Sequence, residues 1–346
     1  MKVENANKIT SPSISRFLKN RQLNWLIKTT VFLLLAWVIY RQIIARENIE
    51  DLWLAFQASF GWATLPWLLP AVLLMPLNWA FETQKWRTLI QNFEKLSFFK
   101  AYRAVFAGVT FSLFTPNRVG EYGGRILFLR PEHNWKGVIA TLVGSYAQLL
   151  VLLSLGLMGL IYFATAHQLL DTFFVPVLLF LGFALIGLLL FCFFNIDLIV
   201  PVAKRIPYIY RFRKILKHVK VLKHYSSYEL STALLYAFSR YGVYALQYYL
   251  LIRFFGIEVS ILEGLTGIAT IFLLQTSIPL PPLMGLFVRG EVALYVWGIY
   301  SSNEIGILAA TFGLWILNLI VPALIGTVFM LNINVLKSLG YEKKND

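Results

Sequence analysis

The stretch "FSLFTPNRVGEYGGRILFL", Phe111 to Leu129, decides how this sequence folds. Its two ends are as apolar as a membrane helix, yet its centre carries Arg118, Glu121 and Arg125 together with Pro116, Gly120, Gly123 and Gly124. Three ionisable side chains facing hydrocarbon would cost on the order of 9 kcal/mol, and an apolar residue returns only about 0.3 to 0.6 kcal/mol. The apolar run Ala104–Phe114 before them cannot offset that. The charges must therefore face protein, water or a polar ligand.

Working outward, the arms on either side are too short to cross a bilayer. Ala104 to Phe114 spans ~16 Å of helix and Tyr122 to Leu129 ~12 Å, each about half of a ~30 Å hydrocarbon core. A second pair behaves alike: Gly264 to Ile278 is ~22 Å and Val292 to Tyr300 ~14 Å. Between that pair lies "QTSIPLPPLMGLFVRGE", with Gln275, Pro281, Pro282, Gly285, Arg289 and Glu291. Both pairs read as re-entrant helical hairpins that turn inside the membrane. The prolines and glycines are expected to break the helices there, freeing backbone groups that lipid cannot satisfy.

The rest of the chain fits that setting. Of 346 residues, 58% are hydrophobic and only 14% charged, far from soluble averages and the mark of an integral membrane protein. Six segments are long and apolar enough to cross: Trp25–Ile44, Trp62–Phe81, Val138–Ala164, Phe173–Phe194, Leu230–Ile252 and Ile305–Leu331. The second contains Pro66, Pro70 and Pro76 and is expected to be kinked or partly unwound. The predicted fold is all-α: six full transmembrane helices plus two oppositely inserted re-entrant hairpins forming an inverted repeat, about residues 60–165 against 230–331. Residues 1–24 form a cytoplasmic lead, 25–331 one polytopic domain, 195–229 a basic cytoplasmic loop and 332–346 a cytoplasmic tail.

Charge placement supports this order. The net charge is +14, and most Lys and Arg fall in the segments that this layout puts inside, as the positive-inside rule requires. Orientation and anionic lipid account for the basic excess without nucleic acid. The single cysteine, Cys192, excludes an internal disulfide, and the four histidines are too scattered for a metal site, so no metal or cofactor is expected. In the loop, Phe212, Ile215, Leu216, Val219 and Leu222 recur at helical spacing with Arg213, Lys214, Lys217, Lys220 and Lys223 around them. That predicts an interfacial amphipathic helix touching the lipid surface.

Two readings of the charged turns stand. In one, Glu121 pairs with Arg118 and Arg125, and Arg289 with Glu291 or across to the other hairpin, only locking the fold. In the other, Arg118, Glu121, Arg125, Gln275, Arg289 and Glu291 bind a lipid head group, because broken helices at the midplane of inverted repeats are where transporters hold substrate.

The same residues carry a family resemblance. "TPNRVGEYGGRILFL" resembles the Pro-x-x-x-Gly-Glu segment, and "IPLPPLMGLFVRGEVAL" the Pro-rich Gly-x-x-x-Arg-Glu segment, of the lysylphosphatidylglycerol synthase transmembrane-region family. "ETQKWRTLI" is similar to its basic-aromatic patch. Here "PPLMG" replaces a Pro-Gly-Gly run, and Gly290 separates Arg289 from Glu291. The resemblance implies a flippase-like protein of the cytoplasmic membrane that handles anionic, aminoacylated or polyprenyl-linked lipid. Full synthases add a soluble aminoacyl-transfer domain, and this sequence runs only to "KSLGYEKKND", so lysine transfer by it is not expected. The alternative is a membrane scaffold partnering an envelope glycosyltransferase or lipid-modifying enzyme. An intramembrane head-group enzyme is a further one, though no HExxH, GxSxG or phosphate-binding glycine loop is present.

Overall fold

The computed structural model describes residues 21–40, 49–113, 115, 118–198, 220–277, 282–331, 333 and 335–338. Every regular element among them is helical. In chain order they are α1 (Arg21–Ile39), α2 (Ile49–Ser59), α3 (Leu65–Ile90), α4 (Phe98–Ser112), α5 (Gly120–Ile126), α6 (Asn134–Ala166), α7 (Val175–Phe194), α8 (Ser227–Phe254), α9 (Ile261–Ser277), α10 (Pro282–Trp297), α11 (Glu304–Trp315), α12 (Val321–Leu331) and α13 (Val335–Ser338).

Among the described residues, four helical stretches are long and apolar enough to cross a bilayer: Leu65–Ile90, Pro131–Ala166, Thr172–Phe194 and Glu304–Leu331. The protein is an integral multi-pass membrane protein. Two of the six expected crossings are helical without meeting that standard. In α1 the polar residues Arg21, Gln22, Asn24 and Lys28 dilute the apolar run, and its predicted end at Ile44 falls outside the described residues. In α8 the dilution comes from Glu229, Arg240, Gln247 and Arg253.

Of the kink or partial unwinding predicted for the second span, the unwinding does not occur. Helix α3 is continuous through Pro70 and Pro76, with Pro66 in its first turn, where a missing N–H costs nothing. Donors from neighbouring helices reach carbonyls along the disturbed stretch. Gln247 Nε2 donates to the Ala71 carbonyl at 2.8 Å and the Tyr102 hydroxyl to that of Pro76 at 3.4 Å.

Helices α4 and α5 form one hairpin and α9 and α10 the other, each with its arms packed together. The long helices α3 and α8 pack antiparallel along their length: Gln247 meets Ala71, Arg240 meets Glu82, and Glu229 meets Gln91. Each hairpin then leans on the long helix that follows the other hairpin. On α6, Gly156 and Gly159 face Leu273 and Ala269 of α9. On α12, a Cβ at Gly326 would stand 2.2 Å from the Phe106 carbonyl oxygen of α4, and the Thr110 hydroxyl donates to the Ala323 carbonyl at 2.8 Å. Small residues permit this backbone contact, which drives helix association where lipid is as apolar as the side chains. A π-helical turn, Ile316–Ile320, joins α11 to α12 and turns Asn318 Oδ1 toward Asn78 Nδ2, which donates to it at 2.6 Å.

Helix α8 begins at a capping box. The Ser226 hydroxyl accepts from the Glu229 N–H while the Glu229 carboxylate accepts from the Ser226 N–H. Ser226→Ala is expected to cost about 1 kcal/mol, read as a lowered Tm in detergent.

Candidate functional site: a buried ion cluster on the first hairpin

Glu82 and Lys85 lie three apart on α3 and so share a face, with Nζ 2.7 Å from the carboxylate. Glu121 opens α5 and Arg125 closes it, four apart, and their ion pair runs along the short helix. The hairpin packing brings Arg125 to Glu82 at 2.7 Å, and the α3–α8 contact adds Arg240 at 3.0 Å from the same carboxylate. Arg118 reaches Glu121 at 3.6 Å from the rim, its side chain 47% exposed. Gln148 of α6 turns its amide oxygen to Lys85 and Arg240, both at 3.4 Å. Two indoles complete the floor: Arg125 stands 5.7 Å from the Trp86 ring and Arg240 4.9 Å from the Trp79 ring.

The cluster is buried: Glu82, Lys85 and Arg125 are each at most 4% exposed. Two buried cations, Lys85 and Arg125, and the half-buried Arg240 face two carboxylates, and several polar atoms lack a hydrogen-bond partner among the described residues. They include Nε of Arg125 and of Arg240, Nε1 of Trp79, Oδ1 of Asn78 and Oε1 of Gln247, and also Oε2 of Glu82, which is held by ion pairs alone. All of these lie along the α3–α8 seam or on the arm of α5 against it. Unsatisfied buried groups of this kind are costly and mark places where water or a ligand completes the bonding.

The hairpin turn differs from expectation in how its glycines act. Gly123 and Gly124 were expected to break the helix with Gly120, but both lie within α5. Gly124 serves close packing, since a Cβ there would stand 2.5 Å from the Ala107 carbonyl oxygen, whereas one at Gly123 would meet open space. The backbone groups near the turn are largely satisfied from within it. The Thr115 hydroxyl accepts from the Gly120 N–H at 2.6 Å and the Thr115 carbonyl from the Arg118 N–H at 3.2 Å. Arg118 adopts φ 59°, a left-handed conformation that a non-glycine residue holds at a cost of about 1 to 3 kcal/mol. Such strain collects at functional sites. Pro116 lies outside the described residues.

In the second hairpin, Pro282 stands at the first residue of α10 and Gly285 lies inside that helix, so Gly285 does not break it; Pro281 is outside the described residues. Gln275 and Arg289 are half-buried and Glu291 is exposed. Among the described residues no ion pair joins Arg289 to Glu291 or to the first hairpin. The buried Tyr248 hydroxyl shares a hydrogen bond of 2.7 Å with Thr311 and accepts one of 3.2 Å from Trp297. In the basic loop, Arg213, Lys214 and Lys217 lie outside the described residues, Lys220–His224 forms a 3-10 turn, and Lys223 is exposed. The predicted amphipathic helix thus falls mostly on residues that are not described.

The histidines hold local pairs. His133 Nδ1 is 2.6 Å from Glu94, and His167 Nε2 is 2.6 Å from the Tyr300 hydroxyl. Burial first, then Glu263 and Tyr162, push that hydroxyl up to about 12, so Tyr300 is neutral at physiological pH.

A sequence profile described as "Lysylphosphatidylglycerol synthase TM region" matches residues 25–326, which include both hairpins, α3 and α8. The chain belongs to this family. No curated protein and no solved structure matches it. Within the lysylphosphatidylglycerol synthase TM region match, the patch "ETQKWRTLI" supplies Glu82, Lys85 and Trp86, so all but Gln148, Arg240 and Trp79 of the cluster came from segments that carried the resemblance. Arg240 was missed, though its position inside the apolar segment Leu230–Ile252 was itself a signal. An ionisable residue there needs a partner by the same cost that singled out Arg118, Glu121 and Arg125.

Proposed function

We propose that this protein moves a lipid head group across the cytoplasmic membrane, through a polar seam lined by the first hairpin and by α3 and α8, while the lipid tails stay in the bilayer. The head group is anionic, aminoacylated or polyprenyl-linked, and no chemistry is done on it. The observation that carries this reading is the buried cluster of Glu82, Lys85, Glu121, Arg125 and Arg240, with Arg118 at its rim. A purely structural lock would close its charges and hydrogen bonds, whereas this one keeps excess positive charge and, among the described residues, buried polar atoms without a hydrogen-bond partner.

The membrane layout belongs to the proposal: six crossings, both termini cytoplasmic, and two hairpins entering from opposite sides. Support comes from α3 and α8, which open the two repeat halves and run antiparallel. Equivalent helices with opposed directions are what an inverted repeat requires. The two turns also approach one level. Leu273 sits beside Gly156, about 12 Å along α6 from Gln148, and Ser277 extends about 6 Å back toward it.

Reconstituted in liposomes with a fluorescent phospholipid, the wild-type protein is expected to speed exchange between leaflets. Arg125→Ala is expected to remove most of that gain. Arg118→Gln, altered at a half-exposed rim position, is expected to fold normally and still slow exchange. Equal rates in wild type and in Arg125→Ala, with both proteins inserted, would reject transport.

A further inference from the structure

The carboxylates of the cluster are already engaged. Glu82 has Lys85, Arg125 and Arg240 within 3.0 Å, and Glu121 has Arg125 and Arg118. A neutral acceptor beside them, Gln148 Oε1, is shared between Lys85 and Arg240. The arginines keep unused donors: Nε of Arg125 and Nε of Arg240 are buried and without a hydrogen-bond partner among the described residues, and Arg125 is 1% exposed. A guanidinium N–H at that depth is stabilised only by an acceptor, and an arginine fork matches the spacing of phosphate oxygens. In a weakly screening interior the surplus cation attracts an anion and repels another cation.

The geometry points to a ligand that presents a phosphate oxyanion and carries no ammonium group: a lipid head group of net negative charge, seated between α3, α5 and α8. This deepens the lipid-transport reading and rests on it. Within the class of lipids left open above, the charge arrangement selects against aminoacylated ones. A lysyl or other ammonium head group would meet Lys85, Arg118, Arg125 and Arg240 and find no carboxylate free of a partner. Arg240 is the specificity-determining residue. It is held over the Trp79 ring with Nε unused among the described residues, and its side chain is 17% exposed, against 2% for Lys85 and 47% for Arg118.

The test reads binding and not movement. The full chain in detergent is offered equal amounts of phosphatidylglycerol, phosphatidylcholine and lysyl-phosphatidylglycerol, and the retained lipid is read by native mass spectrometry. Phosphatidylglycerol is expected to be retained over the lysine-bearing lipid by about tenfold or more, the scale of a buried charge contact. Arg240→Gln is expected to narrow that ratio, and Arg118→Gln to narrow it less. Equal retention, or preference for the lysine-bearing lipid, in the wild type overturns the inference whatever the variants do. Inorganic phosphate in excess is expected to leave the lipid in place. If it empties the site and is itself retained, the oxyanion is free phosphate and the lipid assignment falls. A protein that exchanges lipid between leaflets yet retains the lysine-bearing lipid best loses this inference and keeps the transport reading. One that ranks the lipids as expected and exchanges none loses the transport reading alone.

Discussion

Glu82→Gln is expected to be the most damaging single change in the protein, lowering stability by about 3 to 5 kcal/mol. The substitution keeps shape and removes only charge, so the effect is electrostatic. Lys85, Arg125 and Arg240 would lose the carboxylate they share, leaving Glu121 as the one buried anion of the cluster. Removing one partner from a buried ion pair is costly because the remaining charge has been taken from water and has no compensation. The cost should fall when a cation is removed as well. Glu82→Gln combined with Arg240→Gln is expected to be less destabilised than the sum of the two single variants, with a coupling of about 0.5 to 3 kcal/mol. Thermal unfolding of the four proteins in detergent measures this. Additive shifts in Tm would show that the two residues do not share a charge network.

Gly124→Val should disrupt the first hairpin, and its neighbour Gly123→Ala should not. At Gly124 a Cβ would stand 2.5 Å from both the Ala107 carbonyl oxygen and the Gly108 Cα. These are backbone atoms, so α4 and α5 must separate to make room. Overpacking of this kind costs about 1 to 3 kcal/mol or more, and here it also moves Arg125 away from Glu82. Exchange between leaflets is therefore expected to fall with the Tm. At Gly123 nothing lies within 4 Å of the added carbon. Replacing a helical glycine by alanine there is expected to be neutral or to stabilise by up to about 1 kcal/mol. If both substitutions acted alike, the glycines would be serving the turn itself, which was the expectation from sequence.

That pair shows where sequence reading stops. Two adjacent glycines in "GEYGGRI" look equivalent as letters, and both pointed to a broken helix. They differ only because α5 turns one toward α4 and the other away, a matter of rotation about the helix axis. Arg240 teaches the converse. Its cost inside an apolar segment was readable from residue type and position alone, but its partner, Glu82, sits on another helix 158 positions earlier. Pairs at i,i+3 and i,i+4 are legible from spacing, which is why Arg118 and Arg125 could be matched to Glu121 in advance. Arg289 and Glu291 stand only two apart inside α10, where side chains do not face each other, and no such pair is present among the described residues.

By itself the sequence determined that the chain is helical and membrane-embedded, where the first hairpin turns, and which of its charges cannot face lipid. Those properties follow from hydropathy, length and the limits that proline and glycine place on their own backbone, all of which are local. Tertiary structure alone decided that the charges of this hairpin meet Glu82, Lys85 and Arg240 and that cations outnumber carboxylates there. That outcome depends on the register and rotation of helices far apart in the chain, and packing sets both.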